Sequence, residues 1–94
     1  MALKVLVTYT IKPGHREAFL TDTAAIRPQI LAEAGCQQYD YYASAEDENK
    51  ALLVEQWIDR EAQQVHLTQP HMDTLRGFKG DYITDTILGE VDLK

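Results

Sequence analysis

From Leu3 to Ile11 the chain alternates: Leu3, Val5, Val7, Tyr9 and Ile11 are interleaved with Lys4, Leu6, Thr8 and Thr10. A period of two is that of a strand with one strongly apolar face, and it predicts a strand over residues 2–12. Lys12-Pro13-Gly14 breaks the pattern. From His15 the apolar positions Phe19, Thr23, Ile26 and Ile30 recur about every four residues, the spacing of a helix. Pro28 falls inside it and is expected to bend or interrupt it, because it lacks an amide hydrogen and its ring crowds the preceding turn. Gly35 stands where a helix stop favours a residue free to take positive φ.

Cys36 to Ala45 is rich in tyrosine, with Tyr39 and Tyr41 on one face and Tyr42 on the other, and Glu46-Asp47-Glu48-Asn49 follows as a turn. Lys50 to Ile58 predicts a third strand that is apolar on both sides, with Leu53, Glu55 and Trp57 on one and Leu52, Val54, Gln56 and Ile58 on the other. Asp59 is a helix cap, after which Ala62, Val65 and His66 form a stripe. Pro70 suits the first turn of another helical segment carrying Met72, Leu75 and Phe78, with Gly77 and Gly80 bracketing its end. Strand formers return from Tyr82 to Leu93, with Gly89 as a bulge or bend.

The order β-α-β-β-α-β predicts an α+β, ferredoxin-like domain spanning residues 1–94: a four-stranded antiparallel sheet with helices on one face. Helices cover only one side of such a sheet. Since the third strand is apolar on both, the bare side is expected to meet the same sheet of a second copy, giving a homodimer. A chain of 94 residues buries only about 60–65% of its unfolded surface, which makes assembly a natural source of further stability.

Composition narrows the partners. A net charge of −6, with only nine scattered Lys and Arg, argues against nucleic acid or an anionic membrane surface. The one cysteine cannot close an internal disulfide, and no charged-then-apolar leader is visible, so a cytoplasmic location is expected. No apolar run approaches the roughly 20 residues needed to span a bilayer. Glycine-rich phosphate loops, paired zinc cysteines and Gly-x-Ser-x-Gly are missing, and neither a cofactor nor a metal is expected.

Glu55-x-Trp57, then Ala62, His66 and Pro70-His71, together with Lys12-Pro13-Gly14 and Ala34-Gly35-Cys36, form an ordered set across nearly the whole chain. This set resembles the antibiotic biosynthesis monooxygenase family. The resemblance implies a dimeric α+β barrel, a pocket in each subunit between sheet and helices, and chemistry that includes cofactor-independent oxidation of quinols and phenols by dioxygen. The family's haem-degrading branch fits poorly: its pocket asparagine, seven residues before the glycine that opens the first helix, is here Val7. If His66 takes the place of that branch's helical tryptophan, Arg76 replaces its iron-binding histidine.

Among individual residues, His66 is the first candidate for a general base, since an imidazole titrates near neutrality. Glu55 is a charge in an apolar strand and needs either a partner or a function. Trp57, on the same face, is a stacking surface or simply core. His71 lies five residues after His66, a rotation of about 140° on a continuous helix, so it is expected at a rim or helix start rather than beside His66 on a metal. The expected catalytic residues are His66, Glu55 and Trp57, and the expected substrate contacts Val7, Tyr9, Leu53, Val65 and His71. The favoured activity is monooxygenation of an apolar phenolic or quinol-like small molecule with dioxygen. The alternatives are isomerisation or breakdown of a small metabolite, phosphorylated or not, and non-catalytic binding or sensing of a small molecule.

Overall fold

In the computed structural model, which describes residues 1–93, four strands and three helices follow the order β1 (Ala2–Ile11), α1 (Arg16–Leu31), β2 (Cys36–Ala43), β3 (Lys50–Trp57), α2 (Arg60–His66), α3 (Pro70–Tyr82) and β4 (Ile83–Leu93). The sheet runs β2-β3-β1-β4, with every neighbouring pair antiparallel. This is the ferredoxin-like α+β plan expected from the hydrophobic pattern.

The register explains the alternation. Val5 pairs with Glu55 and Val7 with Leu53, while Tyr39 lies opposite Glu55 on the other side of β3. Directly paired residues share a face. The odd positions of β1 therefore join Ala51, Leu53, Glu55 and Trp57 under the helices, and Leu3, Val5, Val7, Tyr9 and Ile11 are all buried there. α1 covers them with the four residues its spacing marked, Phe19, Thr23, Ile26 and Ile30. Phe19 meets Tyr9, Tyr41 and Tyr82 edge-on, with centroids 5.5–5.8 Å apart, a favoured aromatic geometry.

Several local expectations are corrected. α1 runs unbroken through Pro28; Pro28 and Ala24, whose carbonyl loses the bond, both lie on the exposed side, where water can satisfy it. Gly77 and Gly80 do not end α3, which continues to Tyr82. Gly89 pairs in register with Leu6, and the irregularity in the β1–β4 ladder falls instead between Thr10 and Ile11. Gly35 has the expected role and a second one: its φ is +84°, and a Cβ there would lie 2.7 Å from both Ala62 Cβ and Ile58 Cγ2. Only glycine permits both the left-handed turn and this close approach of the α1–β2 connection to α2.

The opposite face of the sheet carries Lys4, Leu6, Thr8, Thr10, Leu52, Val54, Gln56 and, on β4, Ile87 and Val91, and no helix covers it. None of the described helices is long and apolar enough to cross a membrane.

Candidate active site

Asp59 starts the corner between β3 and α2. Its carboxylate accepts the amide hydrogen of Ala62 at 2.8 Å, fixing the first turn of α2 directly after β3. The buried residues of that helix are Gln63 and His66, three apart and so on one stripe. His66, 1% exposed, reaches over Trp57 with ring centroids 4.5 Å apart. α3 begins at Pro70, and its buried stripe of Met72 and Leu75 continues to Lys79.

Between these helices and the sheet is a cavity of about 320 Å³. β1 contributes Val5, Val7 and Tyr9; β3 contributes Leu53 and Glu55; Met72, Leu75 and Leu88 complete the apolar wall. Its polar groups are His66, Glu55, Lys79, Gln63, Tyr9, Tyr39 and Thr86. A mostly apolar cleft with a few converging polar groups is the usual form of a small-molecule site.

Each polar group has a defined environment. Glu55 Oε1 accepts the Trp57 indole hydrogen at 3.0 Å and lies 3.8 Å from His66 Nε2. Burial raises the Glu55 carboxyl above its ordinary range, against the indole hydrogen bond and the nearby His66 and Lys79. Burial likewise lowers Lys79, whose ammonium lies 4.7 Å from the centre of the Tyr9 ring. Desolvation pushes the Tyr9 and Tyr39 phenols far upward, so both remain neutral donors. On its other side His66 Nδ1 meets Glu33 at 2.9 Å, and the same carboxylate oxygen lies 2.7 Å from His71 Nε2.

Of the residues expected at the site, His66, Glu55, Val7, Tyr9 and Leu53 come together at the cavity. Trp57 is fully buried and lies behind it, holding Glu55 and supporting the His66 ring. Val65 is corrected: it is 51% exposed and borders a surface groove with Ala34 and Ile58, because one residue turns a helix about 100° away from His66. His71 is also outside the cavity, bonded to Glu33.

Glu33, Gln63 and Lys79 were not anticipated. Two of them had a signal in the sequence: Gln63 precedes His66 by three, and Lys79 follows Leu75 by four, so each continues a buried stripe. Glu33 lies in a connection and had none. The donor atoms of Glu33, His66 and His71 lie within 4.8 Å of one another. The 2.7–2.9 Å contacts are of hydrogen-bond length, with the carboxylate between the rings. The cluster is hydrogen-bonded.

Residues 2–76 match the family model described as antibiotic biosynthesis monooxygenase. The chain belongs to that family. A 33% identity over 61 residues relates it to YcnE of Bacillus subtilis (strain 168), named as a candidate monooxygenase, spanning 65% of this chain and 64% of that one. It is 33% identical over 92 residues to the Escherichia coli (strain K12) protein named "Probable quinol monooxygenase YgiN", covering 86% of this chain and 88% of the relative. The crystal structure of PA3566 from Pseudomonas aeruginosa superposes with a TM-score of 0.85 at 29% identity, over 99% of this chain and 94% of that one. Family membership makes this an oxygenase-type enzyme. It also agrees with the resemblance first carried by Glu55, Trp57, His66 and Pro70-His71.

Proposed function

We propose that the protein oxidises a quinol or comparably electron-rich phenol with dioxygen, as the name of its Escherichia coli relative suggests for that protein. The observation that carries this reading is the cavity itself, a mostly apolar space lined also by His66, Glu55 and Lys79, with His66 Nε2 3.8 Å from the Glu55 carboxyl.

The chemistry follows from those groups. His66 accepts the proton of a substrate hydroxyl: the O–H bond breaks, an N–H bond forms at Nε2, and the ring system keeps the electron pair as a phenolate. Lys79 stabilises that anion electrostatically. The electron-rich anion then passes an electron to dioxygen, and the two recombine within a cavity that limits water. One oxygen atom enters the ring as a hydroxyl and the other leaves as water. A hydroquinone plus dioxygen thus gives a hydroxyquinone plus water, with all four electrons coming from the substrate.

The arginines do not favour a phosphorylated ligand. Arg16 is bonded to carbonyls of the β2–β3 turn, Arg27 to Asp40 and the Tyr39 carbonyl, and Arg76 to Asp73 and the Leu67 carbonyl. Among the described residues, Lys79 is the one Lys or Arg that lines the cavity.

Oxygen-electrode measurements across a hydroquinone panel test the proposal. Wild-type uptake should fall on the order of 100-fold in His66→Ala protein that is still folded. Ligand binding without uptake would instead assign a sensing role. For assembly, we infer a homodimer joined through the helix-free faces, supported by the apolar Leu6, Leu52, Val54, Ile87 and Val91 there. A monomer mass by light scattering at micromolar concentration would reject it.

A further inference from the structure

Glu33 belongs to the connection between α1 and β2, a place that the cavity does not reach, yet its side chain is only 9% exposed. One carboxylate oxygen lies 2.9 Å from His66 Nδ1 and 2.7 Å from His71 Nε2. An ionised carboxylate can only accept, so both ring nitrogens that face it carry hydrogen. In a neutral imidazole one nitrogen carries the hydrogen and the other the lone pair. With hydrogen held at Nδ1, the lone pair of His66 is at Nε2, the atom turned toward the cavity-lining Glu55 at 3.8 Å.

The competing groups do not reverse this assignment. From β3, Glu55 is 3.8 Å from Nε2, beyond hydrogen-bond reach, and its carboxyl is committed to the Trp57 indole hydrogen. From β2, Tyr39 approaches the ring at a centroid distance of 5.9 Å. From α3, Lys79 faces Tyr9 and Glu55, and His71 reaches the imidazole only through Glu33. The Gln63 side-chain oxygen accepts a hydrogen from Gln64 Nε2. Glu33 is thus the only group among the described residues at hydrogen-bond distance from either ring nitrogen of His66.

We propose that Glu33 is a positioning residue. It fixes His66 in the tautomer whose basic Nε2 faces the substrate, and it offsets the positive charge that appears when Nε2 takes the substrate's proton. His71 holds the carboxylate in place through its own N–H. Gly35 makes the arrangement possible, because its left-handed turn and missing Cβ let the connection bearing Glu33 close against α2. The inference rests on the oxygenase proposal for its kinetics, while the tautomer stands apart from any substrate.

The experiment has two arms. In ¹⁵N-labelled wild-type protein at neutral pH, imidazole NMR should show His66 in the Nδ1–H form, and Glu33→Ala should lose that fixed form; an Nε2–H wild-type ring overturns the proposal whatever the enzyme's substrate. In steady-state oxidation of a hydroquinone, Glu33→Ala should lower kcat about 10–100-fold while KM changes little. His71→Ala, which leaves the Glu33–His66 bond in place, should lower kcat less. A folded Glu33→Ala protein with wild-type kcat, or a larger loss in His71→Ala, overturns it. If the wild type oxidises no quinol, the oxygenase proposal fails and the NMR arm alone decides the role of Glu33.

Discussion

The two faces of the sheet differ in what holds them. On the inner face every odd residue of β1 from Leu3 to Ile11 is at most 5% exposed, closed over by aromatic and aliphatic side chains of the helices. On the outer face Leu6 and Leu52 are only half-buried, and Ile87 is 62% exposed. The inner face is completed within one chain and can hold buried polar groups in fixed geometry, which is what chemistry needs. The outer face is apolar without being completed, the feature on which the proposed dimer rests.

The largest separation between the faces is expected at Trp57. Trp57→Ala should remove about 3–5 kcal/mol of unfolding free energy, the usual cost of emptying a buried aromatic position, measured by urea denaturation. A change below about 1 kcal/mol would mean that the inner face is not the core. Leu6→Glu should instead spare the fold and act on assembly. Placing an unpaired carboxylate in a buried interface should weaken dimerisation on the order of 100-fold, visible by sedimentation; an unchanged mass would move the dimer contact elsewhere. Lys79→Met tests the inner face by charge alone. Its kcat/KM for quinol oxidation should fall about 10-fold, and full activity would remove the ammonium from the mechanism.

The smallest effect concerns pH. Burial raises the Glu55 carboxyl in the native state, so the native protein holds that proton more tightly than the unfolded chain does. Its contribution to stability is present at low pH and is lost as pH rises from the ordinary carboxylate range through the raised native value. Glu55→Gln can keep the Trp57 hydrogen bond but cannot ionise. The variant should therefore gain on the wild type across that window and then run parallel; chemical denaturation curves that stay parallel throughout would contradict the burial argument.

The local pattern carried far because strand and helix periods are properties of neighbouring residues. Phe19, Thr23, Ile26 and Ile30 were identifiable as the buried face of α1 from spacing alone, and the mixed polarity of Lys50–Ile58 already showed a sheet with two apolar sides. Misplacements came where a single residue type was given its average meaning. Gly77 and Gly80 are tolerated on the exposed side of α3, and Gly89 keeps the ladder because its partner Leu6 holds the register.

The histidine pair shows the other limit. A five-residue spacing separates His66 from His71 only if one helix axis carries both. The chain leaves α2 at Leu67 and begins α3 at Pro70, so each ring turns independently to the same carboxylate.

By itself the sequence determined the strand and helix order, the two-faced sheet and the family, and it singled out His66 as the leading functional candidate. All of these are written in periodicity or in an ordered set of residues. The tertiary structure alone decided that Glu33, 33 positions before His66 and 38 before His71, joins them, and that Lys79 lies over the Tyr9 ring on the cavity that Glu55 also lines. The physical reason is that a hydrogen bond or ion pair between distant residues leaves no period in the chain; it exists only once the sheet register and the Gly35 turn have brought the partners within 3 or 4 Å.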